Sequence, residues 1–403
     1  MTLTIKQAVI LAGGRGERLR PITDTIPKPL IPINGKPLLE YLLEMLKGQG
    51  ITEVVLLLGY LSEKIAEYFG DGSKFGLNIK YSILPLFDEK GLENESGTRI
   101  KTAAPLLDDI FLLMYCDNYW PLDLEKLSDF YFKQGKMVSI TVYTNKDNFT
   151  KNNILVDNDG LVVKYDRSRQ TPNLNGVEIG FFIIDKKVLE MFPEHKFHFE
   201  KEILPQLVEK RELAGFCTDH RYYSISTPER VELTEKFLAP KKVVFLDRDG
   251  VINKRPARAD YVKKWQEFEF LPEAIEGLKL LSQNNYDIYL ISNQPGIARG
   301  KMTKEDLDDI QRKMERELAK NNVKIAGAYF CLHNWEEGCD CRKPKPGLLF
   351  QAAREHNLDL SKVVFIGDDE RDIQAGEVAG CKTIFIEEGK NLYQAVQSLI
   401  QES

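Results

Sequence analysis

The sequence has no long hydrophobic run, few cysteines and no excess of positive charge. No stretch approaches the roughly 18 apolar residues of a membrane-spanning helix, and the N-terminus does not resemble an export signal. The formal net charge of −6 argues against nucleic acid or an anionic membrane as partner, because both reward excess Lys and Arg. Six cysteines in 403 residues are few for a disulfide framework. We therefore expect a cytoplasmic protein that acts on small molecules, either alone or as an oligomer.

Short apolar runs alternate with helical patterns in two parts of the chain, which is typical of α/β folds in which helices cover a sheet. The predicted strands are Gln7–Ala12, Glu53–Leu58, Phe111–Cys116, Val243–Leu246, Asp287–Ile291, Val363–Ile366 and Thr383–Ile386. The predicted helices include Pro37–Gln49, Val231–Leu238 and Lys304–Lys320. Because Ala239-Pro240 interrupts the pattern between the two parts, we predict two Rossmann-like domains, over residues 1–238 and 241–403.

Two carboxylates follow a buried run in the second domain, at Asp247 and Asp249. Asp247 is placed to attack phosphorus, and Asp249 to protonate the leaving oxygen and then to activate water. Because several anionic groups meet there, the site requires Mg²⁺, with Asp247, Asp249 and Asp368 as its ligands. The side chains expected to hold the phosphoryl oxygens are Ser292 or Asn293, together with Lys343. This pattern predicts a phosphomonoesterase.

A cysteine-rich loop, CLHNWEEGCDCRKPKPG, lies between Cys331 and Gly347. It contains three thiols and one imidazole within eleven residues, which is the ligand set of a closed, structural Zn²⁺ site. The expected ligands are Cys331, His333, Cys339 and Cys341; the alternative is a group of core thiols without metal. The loop continues with Arg342, Lys343 and Lys345 between prolines, and this cationic stretch suits an anionic substrate.

Over most of residues 241–403 these motifs resemble the haloacid dehalogenase superfamily, in particular the heptose bisphosphate phosphatases and the histidinol phosphatases. DRDGVIN, SNQPGIARG, the Cys/His loop, RKPKPG and GDD occur in that family's order. The resemblance implies a parallel sheet, with Asp247 as nucleophile, Asp249 as acid and base, and Arg342 and Lys343 as phosphate-binding residues. The segment Lys254–Asp260 is longer and more basic than we expect for the substrate loop of that family.

A different phosphate motif, LAGGRGERLRPITDTIPKPL, opens the first domain. Gly13 and Gly14 would let backbone amides approach a triphosphate, while Arg18 and Lys28 would stabilise a pentavalent phosphorus and departing pyrophosphate. The motif is neither a Walker loop nor a dinucleotide fingerprint. Asp117, after a predicted strand, would bind Mg²⁺. These residues predict attack of a sugar 1-phosphate on the α-phosphorus of a nucleotide.

From Thr4 to about Leu238 the sequence resembles the sugar-1-phosphate nucleotidyltransferases, including mannose- and heptose-1-phosphate guanylyltransferases. INGKPLLEY, ESGT, CDN and STPERVE follow the opening motif in family order. The resemblance implies a mixed sheet of the glycosyltransferase-A type. Ser224 replaces the usual Asp of the second metal contact, Asp166-Arg167 replaces a Glu-Lys pair, and Glu178 replaces an Asn that meets the sugar.

The two predicted chemistries follow one another on a single sugar. We expect removal of the 7-phosphate from D-glycero-D-manno-heptose 1,7-bisphosphate, and reaction of the heptose 1-phosphate with GTP to give GDP-heptose and pyrophosphate. GTP as the donor rests on the resemblance alone. Two alternatives remain open: a histidinol-phosphate phosphatase fused to a mannose-1-phosphate guanylyltransferase, and a phosphatase whose first domain binds a nucleotide or sugar without catalysis.

Overall fold

The structure, a computed structural model, describes residues 5–257 and 260–401. The chain forms two compact units, Met1–Ala239 and Pro240–Ser403. The last helix of the first unit begins at Pro228, where the Thr227 side chain caps it by accepting a hydrogen bond from the Arg230 N–H. It ends at Leu238, before Pro240, whose missing N–H cannot continue a helix. No helix among the described residues is long and apolar enough to cross a membrane.

The first unit is built on a seven-stranded mixed sheet. Its strands are β1 (Gln7–Ala12), β2 (Glu53–Leu58), β3 (Asn78–Ile83), β4 (Ile110–Tyr115), β5 (Val138–Tyr143), β6 (Val177–Asp185) and β7 (Leu213–Thr218). The spatial order is β7-β5-β6-β4-β1-β2-β3. Only β6 runs antiparallel to its neighbours β4 and β5 within this sheet. The expectation of a mixed sheet is therefore confirmed.

Alternating side chains of the central strand build two separate cores on the two faces of this sheet. Ala8 and Ile10 point into one core, and Val9 points into the other, as the two-residue period of a strand requires. The helices of the unit are α1 (Leu38–Gly48), α2 (Ser62–Phe69), α3 (Ser96–Thr102), α4 (Leu124–Gln134), α5 (Leu204–Glu209) and α6 (Pro228–Leu238). Helix α1 buries its leucines in the first core, so the loop after β1 has a fixed support.

The second unit has a five-stranded sheet that is entirely parallel. Its strands are β8 (Lys242–Leu246), β9 (Tyr286–Asn293), β10 (Ile325–Cys331), β11 (Val364–Gly367) and β12 (Lys382–Phe385), in the order β10-β9-β8-β11-β12. The helices are α7 (Ala274–Gln283), α8 (Lys304–Ala319), α9 (Gly347–His356), α10 (Glu370–Ala379) and α11 (Leu392–Gln401). The expected parallel α/β fold is confirmed.

Helices cover both faces of the second sheet. Residues of α7, α8 and α11 share a core with Val244 and Leu246 of β8, whereas residues of α9 and α10 pack with Val243 and Phe245. Because all five strands are parallel, their carboxyl ends lie along one edge of the sheet. Ligands of open α/β sheets bind at this edge.

Candidate active sites

The central strand of the second sheet places a carboxylate beside a buried lysine. β8 ends at Leu246, so Asp247 follows at its carboxyl end. Asp247 Oδ1 lies 3.0 Å from the Nζ of Lys343, which also lies 2.7 Å from Asp372 Oδ1. The same Nζ donates to the carbonyl of Ile291 at 2.6 Å. Lys343 is only 2% exposed, so a fixed positive charge joins the two carboxylates.

The pKa values of these groups reflect burial and mutual attraction. Burial lowers the pKa of Lys343, but the attraction of Asp247 and Asp372 outweighs it, and the pKa lies above its ordinary value. Burial raises the pKa of Asp372 to about 6, although Lys343 opposes the shift. Burial also raises the pKa of Asp368, against the attraction of Arg255. The site therefore holds carboxylates that a further cation would stabilise.

Three carboxylates converge at this point. Asp247, Asp368 and Asp372 each offer an oxygen, and these atoms lie within 4.8 Å of one another. Gly250 permits the approach of Asp368: a Cβ at Gly250, where φ is +106°, would lie 1.8 Å from Asp368 Oδ2. Carboxylate oxygens are the donors that Mg²⁺ prefers in proteins, so this set fits that ion.

Asp249 lies beside this group but is not part of it. Its Oδ1 accepts from Arg248 Nε at 3.1 Å and from Asn253 Nδ2 at 2.9 Å, and its Oδ2 accepts from Gln294 Nε2 at 2.7 Å. The role of Asp249 as a Mg²⁺ ligand stays a prediction, and Asp372, which was not predicted, is the third carboxylate of the group. The three donors orient Asp249 at the cavity wall, where a proton donor belongs.

The other predicted phosphate-binding residues also reach this cavity. Asn293 is bonded twice to the backbone of Lys343: it accepts from the N–H and donates to the carbonyl, both at 3.1 Å. Ser292 Oγ accepts from Gln294 Nε2 at 3.2 Å. Arg342 lines the same wall. Asn293 thus positions Lys343, a role that the sequence analysis did not foresee.

The cavity has a volume of about 960 Å³, at the upper end of the usual size for small-molecule sites. Its walls combine carboxylates at the carboxyl ends of the strands, the Cys/His loop and the segment that follows β8. The lining residues include Asp247, Asp249, Arg255, Tyr261, Ser292, Asn293, Trp335, Cys339, Arg342, Lys343, Lys345, Asp369, Arg371 and Asp372.

The four predicted zinc ligands meet in one cluster. Cys331 Sγ lies 3.8 Å from His333 Nδ1 and 3.7 Å from Cys339 Sγ, while Cys341 Sγ lies 3.2 Å from His333 Nδ1 and 3.5 Å from Cys339 Sγ. In a tetrahedron with metal–sulfur bonds of about 2.3 Å, neighbouring ligands lie roughly 3.8 Å apart. All three thiols are free of disulfides. The cluster could therefore bind zinc.

In the first unit, β1 leads into the glycine-rich loop. Gly13 is buried and Gly14 exposed, and Gly16 takes a φ of +70° that favours glycine. Arg18 is exposed on the short turn Glu17–Leu19. The ammonium group of Lys28 contacts the carboxylate of Asp117, which follows β4. The structure thus brings Lys28 and Asp117 together at one sheet edge.

A buried arginine that the sequence analysis missed packs against this loop. Arg99 is 4% exposed, and its Nη1 donates to the carbonyl of Leu58 at 2.7 Å. A Cβ on Gly13 would lie 2.7 Å from Arg99 Cζ, and one on Gly59 would lie 2.6 Å from Nη2. A side chain at position 13 would therefore force the buried guanidinium to shift, and this guanidinium adds positive charge beside the loop.

Two residues that differ from the family pattern, Ser224 and Glu178, lie at the same sheet edge as Lys28 and Asp117. Ser224 pairs with Asn118 in a short strand, and the N–H of Ile225 donates to the carbonyl of Asp117 at 3.0 Å. Among the described residues, no group of three metal-ligating side chains forms around Asp117. Burial and the charge of Glu200 raise the pKa of Glu178 to about 8. The side chain is thus largely protonated at neutral pH and can donate a hydrogen bond, as the amide of an Asn does.

These two sites define a class of protein with two α/β units. Each unit has charged side chains of the kind that bind phosphate groups. Residues 7–224 match the family model described as nucleotidyl transferase, and residues 340–402 match that described as HAD-hydrolase-like. The chain therefore belongs to the nucleotidyl transferase family through its first unit and to the HAD-like hydrolases through its second. It is an enzyme in which a nucleotidyltransferase domain is fused to a phosphatase domain.

Individual relatives match one unit each. A D-glycero-beta-D-manno-heptose-1,7-bisphosphate 7-phosphatase of Vibrio cholerae is 38% identical over 167 residues, which is 40% of this chain and 88% of the relative. A UTP–glucose-1-phosphate uridylyltransferase of Synechocystis is 30% identical over 214 residues, covering 50% of this chain and 55% of that protein. The solved structure of a candidate glucose-1-phosphate thymidylyltransferase from Bacillus anthracis matches 57% of this chain, and the match spans 94% of that protein's chain. The sequence identity is 18% and the TM-score is 0.50, which shows a shared fold.

Proposed function

We propose that the enzyme removes the 7-phosphate of D-glycero-D-manno-heptose 1,7-bisphosphate and then transfers GMP from GTP to the heptose 1-phosphate. The single observation that carries the first step is the Asp247–Lys343–Asp372 constellation, in a unit 38% identical to a heptose bisphosphate phosphatase. The second step is supported by Lys28 and Asp117, which meet beside the glycine-rich loop. The product of the first reaction is the nucleophile of the second, so the order is fixed.

In the phosphatase reaction, a carboxylate oxygen of Asp247 attacks phosphorus and forms an aspartyl phosphate while the bond to the sugar oxygen breaks. Asp249 gives that oxygen its proton, in an orientation set by Asn253 and Gln294. Asp249 then takes a proton from a water molecule whose oxygen attacks phosphorus. The bond between phosphorus and the Asp247 oxygen breaks, which releases orthophosphate and restores the Asp247 carboxylate. Lys343 offsets the negative charge of the phosphoryl group throughout.

A Mg²⁺ held by Asp247, Asp368 and Asp372 would, together with Lys343, neutralise the charge of these carboxylates and of the phosphoryl group. Ser292 and Arg342 lie on the same wall and would bind phosphoryl oxygens. In this assignment Asn293 acts through Lys343, whose backbone it holds on both sides.

In the transferase reaction, the 1-phosphate oxygen of the sugar attacks the α-phosphorus of GTP, and the bond to the β-phosphate breaks. Backbone amides at Gly13 and Gly14 would bind the triphosphate, and Arg18 and Lys28 would stabilise the departing pyrophosphate. Asp117 would hold Mg²⁺, which supplies further positive charge to the phosphates. One phosphorus–oxygen bond forms at the α-phosphorus and one breaks, so the reaction needs no further reactant.

The experiment that tests this proposal is product analysis on the purified chain. With heptose 1,7-bisphosphate, Mg²⁺ and one nucleoside triphosphate at a time, we expect orthophosphate in every case, and pyrophosphate with GDP-heptose when GTP is present. Mass spectrometry identifies the sugar nucleotide. Faster hydrolysis of histidinol phosphate would favour the alternative phosphatase. If no triphosphate gave pyrophosphate with supplied heptose 1-phosphate, the first unit would be a non-catalytic binding domain.

We also propose that Zn²⁺ occupies the Cys331, His333, Cys339 and Cys341 cluster and stabilises the loop that carries Lys343. Elemental analysis is expected to find one zinc per chain. Cys339→Ser should lose the metal and lower the melting temperature of the phosphatase unit by about 10 °C, since losing a structural metal costs several kcal/mol. Cys217→Ser, at an exposed thiol outside the cluster, is the control. Zinc content that survives Cys339→Ser would contradict the assignment.

A further inference from the structure

The phosphatase cavity contains more cationic groups than one phosphoryl group occupies. Lys343 is already fixed between Asp247 and Asp372. Two further arginines, Arg255 and Arg371, also line the cavity. Their side chains are 45% and 51% exposed, so they remain accessible to a ligand in solution. The proposed chemistry at Asp247 gives neither arginine a role.

A single carboxylate holds both arginines. Asp369 Oδ2 lies 3.3 Å from Arg255 Nη1, and Asp369 accepts two bonds of 2.8 Å from Arg371 Nε and Nη2. Asp369 is itself fixed, because it caps helix α10 in a reciprocal arrangement with Asp372. Arg255 Nη2 also lies 2.8 Å from Asp368 Oδ1. The two guanidinium groups are therefore oriented by Asp369 at the start of α10 and, in the case of Arg255, also by Asp368 at the end of β11.

Both arginines retain hydrogen-bonding capacity. A guanidinium carries five N–H donors, and the bonds to Asp369 use only the Nε and one Nη2 donor of Arg371. The planar fork of arginine matches the oxygens of a phosphate. By contrast, Lys345 on the same wall is engaged within its own loop, where it donates to Asp340 and to the carbonyl of Gly338.

The position of the pair fits a second anionic group of the substrate. Both guanidinium groups line the same cavity as Asp247, and Arg255 Nη2 lies 2.8 Å from Asp368, an oxygen of which lies within 4.8 Å of an oxygen of Asp247. Arg255 belongs to the segment Lys254–Asp260, which is longer and more basic than expected. The cavity of about 960 Å³ has room for a sugar with a phosphate at each end.

We propose that Arg255 and Arg371, held by Asp369, form a subsite for the phosphate that the enzyme leaves in place. This inference rests on the proposed function, since it requires a bisphosphorylated sugar as substrate. One phosphate lies at Asp247 and Lys343, and the other lies between the two guanidinium groups. The pair thereby selects sugar bisphosphates over monophosphates and decides which phosphate is presented to the nucleophile.

The test compares heptose 1,7-bisphosphate with heptose 7-phosphate, which lacks only the retained phosphate. The quantity measured is the ratio of kcat/KM for the two substrates. Arg255→Gln and Arg371→Gln are each expected to lower this ratio about 10-fold, and the double variant about 100-fold, because each removes a charge-assisted contact. Arg371→Lys, which keeps the charge but loses the fork, should fall between Arg371→Gln and the wild type.

Lys362→Gln, at an exposed lysine paired with Asp359 outside the cavity, is the matched control and should not change the ratio. Melting temperatures identify any variant that fails to fold, and the lysine variant at the same position, Arg255→Lys or Arg371→Lys, then replaces it. If kcat/KM falls equally for both substrates, the arginines do not bind the retained phosphate and the proposed subsite is wrong. If the wild type does not hydrolyse heptose bisphosphate at all, the proposed function fails instead.

Discussion

Asp247→Asn is expected to stop orthophosphate release from heptose 1,7-bisphosphate, with a loss of about 10⁴-fold or more in kcat. The amide retains the size of the carboxylate but cannot form the covalent phosphoryl intermediate. It also leaves Lys343 with Asp372 as its remaining ion-pair partner in this constellation. A phosphate-release assay measures the loss, and pyrophosphate release from GTP and supplied heptose 1-phosphate should continue at the wild-type rate.

The control for this prediction is Asp308→Asn, at an exposed aspartate on α8 that pairs with Lys304. It removes one carboxylate from the same unit but leaves the cavity unchanged, so both activities should persist. Orthophosphate release that survives Asp247→Asn would exclude Asp247 as the nucleophile. Loss of both activities in a folded Asp247→Asn variant would mean that the two units do not act independently.

The strand-end logic of α/β folds explains why much of the phosphatase site could be predicted from sequence. Asp247 and Asp368 each follow an apolar run, and parallel strands bring such positions to one edge of the sheet. Asp372 could not be predicted in this way, because it lies in the first turn of α10 and not directly after a strand. Its contact with Lys343 joins positions that are distant in the chain, and no local pattern reveals it.

The first unit was less accessible to sequence reasoning. Alternating strands and helices favour a parallel sheet, and only the resemblance implied that one strand runs the other way, as β6 does. The predicted strand Phe111–Cys116 lies one residue earlier in the structure, at Ile110–Tyr115. Cys116 is also buried and apolar, so the hydrophobic pattern continues past the end of the strand. Hydrophobicity alone cannot mark such an end.

Long-range electrostatics was the least predictable feature. Arg99 occupies a helix, where an arginine is usually solvated, yet its guanidinium is buried against the backbone of Gly13. Glu178 and Glu200 are separated in sequence, and their repulsion together with burial raises the pKa of Glu178 to about 8. Both effects arise from tertiary packing, so they appear only once the sheet is assembled.

Because Ser224 stands where the family resemblance leads us to expect a second metal carboxylate, we expect Asp117 to be the critical residue of the proposed transferase site. Ser224 Oγ lies 3.1 Å from Ser226 Oγ, and neither hydroxyl supplies the negative charge of a carboxylate. In the proposed transferase site, magnesium binding would therefore depend on Asp117 and on the nucleotide phosphates. A single substitution at this position should remove most of the protein's share of the metal site.

Asp117→Ala is accordingly expected to lower pyrophosphate release from GTP and heptose 1-phosphate by about 10³-fold, while orthophosphate release from the bisphosphate stays at the wild-type rate. The substitution also removes the contact partner of Lys28. Asp129→Ala, at an exposed aspartate on α4, is the matched control. Both rates are measured on the same preparations with coupled phosphate and pyrophosphate assays. Unchanged pyrophosphate release would place the metal elsewhere in the unit, whereas the opposite selectivity to Asp247→Asn would establish two independent centres in one chain.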